Sequence, residues 1–301
     1  MLGPGWTELV ALAAAFVIAV VATPAGVSGA VLLLPFQVGV LGTPSPAVTP
    51  TNLLYNVVAA PGALYRYWRQ GQTGGRLALV LIAGTLPGVV AGSVIRVELL
   101  PGARVFDLVV AGVLLPLGLW LVLTRPGGPH DTGVPEGTGV PEGTGVPEGT
   151  GFPAGTGFPA GTGFPAGPGG QQVRVIPVPA LVLLAAAVGC VGGIYGIGGG
   201  SILAPVLIGS GRRPAEVAPA ALSSTFVTSV AGVITFTVLS AHAQGPVAPD
   251  WPTGVALGIG GLAGAYLGAR LQPRLPDALI RRLVGVLVVA IGARYLWSGL
   301  G

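Results

Sequence analysis

Seven of the thirteen residues from Gly189 to Ser201 are glycine: Gly189, Gly192, Gly193, Gly196, Gly198, Gly199 and Gly200. Each glycine inside a helix costs about 1 kcal/mol relative to alanine, so this spacing predicts a break in the chain. Glycine leaves backbone N–H groups uncovered, and a helix starting at Ser201 would aim the positive end of its dipole at the break. Uncovered amides beside a helix N-terminus can hold an anion. The expected substrate contacts are the amides of Gly196, Gly198, Gly199, Gly200 and Ser201. A poorer copy of the run, at Gly26, Ser28 and Gly29, would add Ser28 and Gly29 from elsewhere in the chain. The competing reading is that the glycines only let helices pack closely. It is preferred for Gly88, Gly92, Gly264 and Gly268, whereas three consecutive glycines at 198–200 exceed what packing needs.

Polar side chains gather in two further places. Thr49, Thr51, Asn52, Tyr55 and Asn56 form one group, and Ser223, Ser224, Thr225, Thr228 and Ser229 the other. Asn52 and Asn56 share a helical face, as do Ser224 and Thr228. Their amides and hydroxyls suit an oxyanion that must be released again, and some of the group would serve only to hold helices together. The ten acids fall at segment ends, in loops or in a repetitive tract, and His130 and His242 are peripheral. That leaves no carboxylate pair, no metal-ligand cluster and no proton carrier at mid-membrane, so neither an enzyme nor a bound cofactor or metal is expected. A dinucleotide loop is excluded as well: Gly193, Gly196 and Gly198 have the wrong order, and no strand–helix alternation surrounds them.

The elements that must position these residues are membrane spans. Of the 301 residues, 51% are hydrophobic and 8% charged, against about 25% charged in soluble domains. The mean hydropathy is +0.81. The 14 basic residues are all arginine, scattered singly or in pairs between apolar runs. That pattern orients spans and does not build a nucleic-acid surface. The absence of lysine removes Walker-type nucleotide binding and Schiff-base chemistry. A single cysteine, Cys190, excludes an internal disulfide. No basic stretch follows Met1, so the first apolar run reads as a retained span rather than a cleaved leader.

Ten apolar segments are marked at 6–22, 27–41, 50–66, 77–95, 104–123, 176–195, 200–210, 217–240, 252–270 and 282–298. The second and seventh are shorter than the roughly 17–25 residues of a full span, and each follows a glycine-rich break. Residues 132–167 are six hexapeptides, TGVPEG three times and then TGFPAG three times. Such a tract cannot bury enough surface to fold. The chain divides accordingly into an N-terminal membrane repeat, 1–125, a disordered linker, 126–175, and a C-terminal membrane repeat, 176–301. The linker reads as a neutral spacer, with partner recruitment as its alternative.

Gly26 to Pro35 aligns with Gly196 to Pro205 at a constant offset of 170, and Gly88-x-x-x-Gly92 matches Gly264-x-x-x-Gly268. We read this as a duplicated five-segment unit. Counting all ten segments places eleven arginines on one side and three, Arg96, Arg104 and Arg294, on the other. The arginine-rich side is then cytoplasmic, with the linker inside and both termini outside. An odd number of segments per unit inverts the second copy. The expected architecture is all-α and integral to the membrane, with about eight to ten helical segments in two inverted repeats and short re-entrant hairpins.

The run Gly192-Gly193-Ile194-Tyr195-Gly196-Ile197-Gly198-Gly199-Gly200-Ser201-Ile202-Leu203-Ala204-Pro205-Val206-Leu207 resembles the signature of the sulfite exporter TauE/SafE family. Ala221-Leu222-Ser223-Ser224-Thr225 is similar to that family's second motif. The likeness spans both halves but not the hexapeptides, and Ser28 stands where the family pattern has glycine. The resemblance implies a multi-pass permease of the bacterial inner membrane that moves sulfite, organosulfonates or related small anions, often outward. A membrane scaffold that recruits partners through the linker is the alternative. The particular anion, its coupling ion and the oligomeric state are not written in the sequence.

Overall fold

Proline and glycine decide where the helices begin and end. In the computed structural model, α1 (Pro4–Ala22) opens on a proline, whose missing N–H is harmless in a first turn. It runs into a 3-10 turn, Thr23–Ala25, which Gly26 stops at φ +72 with its N–H on the Thr23 carbonyl at 2.8 Å. A short α2 (Ala30–Phe36) and a π turn (Gln37–Leu41) follow, then α3 (Val48–Arg69) and α4 (Gly75–Glu98). The second half also sets a short helix between long ones. Helix α5 (Val178–Tyr195) is stopped by Gly196 at φ +79, and α6 (Gly199–Gly209) is short. Helices α7 (Pro214–Ser240) and α8 (Trp251–Leu271), a 3-10 turn (Gln272–Arg274) and α9 (Asp277–Leu300) complete it.

The structure describes residues 4–44, 46–99, 177–210, 212–243 and 247–300, with seven helical positions between Leu108 and Leu119. Among these residues there is no strand. The hexapeptide tract and its expected disorder lie outside the described residues. The predicted segments 6–22, 50–66 and 77–95 fall inside α1, α3 and α4. Helix α6 begins at Gly199, two residues earlier than expected, because the bend is completed at Gly198, at φ 72 and ψ 147, after Gly196 has ended α5.

Among the described residues, five helices are long and apolar enough to cross a membrane. The burial pattern is that of a body solvated by lipid. Leu79, Leu183 and Ile234 are exposed, while Asn52, Thr85, Arg96 and Ser224 are buried. Hydrocarbon accepts the aliphatic exterior, and the polar groups turn inward where protein can satisfy them.

Close backbone contacts fix the helix directions. A Cβ at Gly84, Gly88 or Gly92 of α4 would lie 2.5 Å or less from Ala185, Ala186 or Cys190 of α5. One at Gly260 or Gly264 of α8 would lie within 2.3 Å of the Leu12 or Phe16 carbonyl of α1, and one at Gly268 would be 2.8 Å from that of Val20. Both pairs advance in the same sense and are therefore parallel. So are α3 and α8, where Gly254 meets Leu54, Gly258 meets Val58 and Gly62 meets Leu262. Helix α4 is parallel to α7 by the contacts of Gly74 with Ala220 and Gly232 with Val89. It follows that α1, α3 and α8 share one direction, and α4, α5 and α7 share another. The chain between α1 and α3 must therefore turn back, which is the work of the glycine break and α2.

Candidate functional site: two helix breaks in contact

The breaks at 26–29 and 196–198 lie in unbroken buried stretches of sequence, 22–31 and 192–205. They touch. The Ser28 N–H donates to Ser201 Oγ at 3.3 Å, and Tyr195 OH donates to the Val31 carbonyl at 3.2 Å. Ser201 Oγ donates in turn to the Ile197 carbonyl at 3.0 Å and lies 3.2 Å from Thr225 Oγ1. One side chain thus joins the first break, the second break and α7.

Helix α3 holds the first break. Ser28 Oγ donates to Asn56 Oδ1 and accepts from the Ala30 N–H at 3.2 Å. Asn52 Nδ2 donates to the Ala30 carbonyl at 2.9 Å, and Asn52 Oδ1 accepts from Gln37 Nε2 at 3.0 Å. Both asparagines turn to the same side of α3, as their spacing predicts, Asn56 toward Ser28 and Asn52 toward α2. Asn52 has donor and acceptor engaged and braces α2 at both ends. Asn56 has its Nδ2 buried without a partner.

Helix α7 holds the second break. The Gly199 N–H donates to Thr228 Oγ1 at 3.4 Å, so this amide is covered. Gly200 and Ser201 stand in the first turn of α6, where a helix gives its N–H groups no internal acceptor. Thr228 Oγ1 donates to the Ser224 carbonyl at 2.7 Å, and Ser224 Oγ lies 2.8 Å from Thr85 Oγ1 of α4. Ser229 Oγ is fully buried and without a partner, 3.0 Å from where a Cβ on Gly198 would stand.

The glycines of the run also have steric reasons to be glycine. At Gly196 a Cβ would lie 2.4 Å from the Thr49 carbonyl, at Gly199 2.5 Å from Thr85 Cβ, and at Gly200 1.9 Å from the Ala221 carbonyl. At Gly29 a Cβ would lie 2.5 Å from Tyr55 Oη. The amides expected to be uncovered at Gly196 and Gly199 are engaged, the first by the Gly192 carbonyl at 2.8 Å and the second by Thr228. That leaves Gly200 as the position of these three where close packing and a first-turn amide coincide. A bulky substitution such as Gly199→Leu disturbs both.

Sequence reasoning passed over three participants. Thr85 is a lone hydroxyl in an apolar helix, and Gln37 lies past the short α2; neither carries a motif. Arg96 was counted among the arginines of the far side. It lies instead within α4, is fully buried, and donates from Nε to Thr49 Oγ1 at 3.4 Å. Thr49 Oγ1 itself donates to the Ile194 carbonyl at 3.3 Å, beside the second break. Among the described residues, no three His, Cys, Asp or Glu side chains gather as a metal site.

A helical body with an aliphatic exterior, several helices apolar enough to span, and two short helices whose glycine breaks meet inside it defines a multi-pass membrane protein. The sulfite exporter TauE/SafE family model matches residues 11–295, and the chain belongs to that family. It is 28% identical over 120 residues to the probable membrane transporter protein YunE of Bacillus subtilis, covering 40% of this chain and 41% of that protein. A probable membrane transporter protein of Xylella fastidiosa is 30% identical over 116 residues, covering 38% and 42%. The alignments thus span about two fifths of the relatives' lengths. No solved structure matches the chain.

Proposed function

We propose that this protein is a permease that moves small oxyanions, such as sulfite or organosulfonates, outward across the bacterial inner membrane. The observation that carries the reading is a pair of buried, unpartnered polar groups at the junction of the breaks. Ser229 Oγ faces Gly198 at the N-terminus of α6, and Asn56 Nδ2 stands on the residue that anchors Ser28. A hydroxyl and an amide N–H₂ can both donate. Set beside first-turn amides and the positive end of an 11-residue helix, they suit a negatively charged oxygen group. Leaving such groups unmet costs about 1–3 kcal/mol each, which a bound oxyanion would offset. Neutral donors release an anion more readily than a tight ion pair would.

Alternating access fits the helix directions. Counterparts α1 and α5, α3 and α7, and α4 and α8 run oppositely within each pair, which supports two inverted repeats meeting at a shared site. The partner pattern is consistent with this: α4 packs on α5 as α8 packs on α1. We place the loops after α3 and α6 in the cytoplasm by their arginines, and the linker with them. On this reading the hexapeptide tract is a spacer between the repeats.

Flux of sulfite, a small sulfonate, sulfate and chloride into proteoliposomes tests the proposal. Saturable sulfite or sulfonate flux is expected, with its KM raised in Ser229→Ala. Folded, inserted protein that carries none of these anions would overturn it.

A further inference from the structure

A groove of about 620 Å³ opens on the outer surface between α3 and α8, lined by Pro61, Gly62, Tyr65 and Arg69 on one side and by Leu262 and Ala263 on the other. Its floor is low because Gly62 packs against α8 with no side chain between them: a Cβ there would stand 2.2 Å from the Leu262 carbonyl. Its walls are apolar along the membrane interior, yet it ends on a guanidinium. Arg69 Cζ lies 6.0 Å from the centroid of the Tyr65 ring, within cation–π range. Tyr65 and Trp68 are exposed, with ring centroids 6.2 Å apart. Such amphipathic rings sit at the headgroup level of a bilayer. Arg66, in the same last turn, has its Nε buried and unpartnered, and exposed Arg270 closes α8 alongside.

Arginines at a helix C-terminus already complement its dipole, and aromatic belts are general. Neither accounts for an apolar trough that is itself lined by Arg69, with Arg66 and Arg270 in the last turns of the two helices that form it. We propose that this groove is a binding site for an anionic phospholipid, with one acyl chain along Gly62 and Ala263 and the phosphate on Arg69. Basic pockets between spans hold anionic headgroups by this chemistry. A zwitterionic lipid would gain the same trough but less from the arginines. The site is on the surface, apart from the helix breaks, and stands whether or not the chain moves an oxyanion.

Native mass spectrometry of the delipidated full chain, offered phosphatidylglycerol or phosphatidylcholine with the same acyl chains, tests it. The wild type should retain phosphatidylglycerol with a preference of about fivefold or more, the worth of one arginine near a headgroup. Arg69→Gln should reduce that preference to near parity. Ala263→Leu fills the trough at an exposed position and should lower retention of both lipids while the helical signature is unchanged. Equal retention of the two lipids by the wild type, or an undiminished preference in Arg69→Gln, would overturn the proposal. So would displacement of the lipid by millimolar inorganic phosphate together with full retention in Ala263→Leu, which would mark a free-anion site instead.

Discussion

The backbone N–H of Ser28 donates to the hydroxyl of Ser201 at 3.3 Å, across 173 positions of sequence. Each residue lies within one turn of a helix break, so this bond joins the two interruptions of the fold directly. Its consequence is mechanical as well as chemical. Any movement of one half against the other must stretch or exchange this contact, because Ser201 Oγ is also tied to the Ile197 carbonyl and lies beside Thr225 Oγ1.

Ser229→Ala separates recognition from folding. Ser229 Oγ has no partner to lose, so the thermal midpoint in detergent should stay the same or rise slightly. The KM for the transported anion should rise about threefold to tenfold, as expected for a hydrogen bond of about 0.6–1.5 kcal/mol. Transport kinetics with an unmoved KM would remove this hydroxyl from the site.

Asn52→Leu should behave oppositely. It removes the brace between the Ala30 carbonyl and Gln37 Nε2, leaving both buried. We expect a stability loss of about 2–4 kcal/mol, read by chemical unfolding in micelles, with flux and stability falling together. A variant of wild-type stability that merely binds substrate less well would make Asn52 a contact residue and not a brace.

The glycine seams should be intolerant of size. Gly88→Leu and Gly264→Leu would place a Cβ 2.1 Å from the Ala186 carbonyl and 2.3 Å from the Phe16 carbonyl. Backbone cannot yield as a side-chain tip can, so helix pairs must separate. Overpacking costs typically 1–3 kcal/mol and sometimes more. Yield of monodisperse protein should drop in both, and to a similar degree, since both Cβ atoms would meet backbone at nearly the same distance.

Sidedness is open to cysteine labelling in a Cys190→Ala background. Thr73→Cys, in the exposed α3–α4 loop, should react only with reagent that reaches the cytoplasm. His242→Cys, exposed just after α7, should react with an impermeant reagent from outside. The reverse pattern would invert the assignment made from the arginines.

If the tract only spaces the two halves, deletion of residues 132–167 should leave flux within about twofold of the full chain, because loop-closure entropy changes only slowly with length. Loss of activity in inserted protein would favour the scaffold reading, in which the tract recruits a partner.

The resemblance of the run 192–207 to a family signature was legible at once, and so was the membrane class. Both depend on composition and local order. The helix bounds were nearly as legible, since Gly26 and Gly196 can adopt a left-handed conformation that other residues resist. The roles within the site were not. Asn52 and Asn56 look equivalent in sequence, one turn apart on a single face, yet one is satisfied at both ends and the other keeps an open donor. Arg96 sits near the end of an apolar run and reads as a loop residue, but the fold buries it beside Thr49.

What the sequence determined by itself was therefore the solvent, the helices and the places where they stop. Those follow from side-chain hydropathy and from backbone freedom at single residues, which act locally. Only the tertiary structure decided which stops face each other, that α1, α3 and α8 run together, and which buried hydroxyls are left with a bond to give. Those are properties of pairs far apart in the chain, set when close-packed backbones choose their partners, and no local pattern carries them.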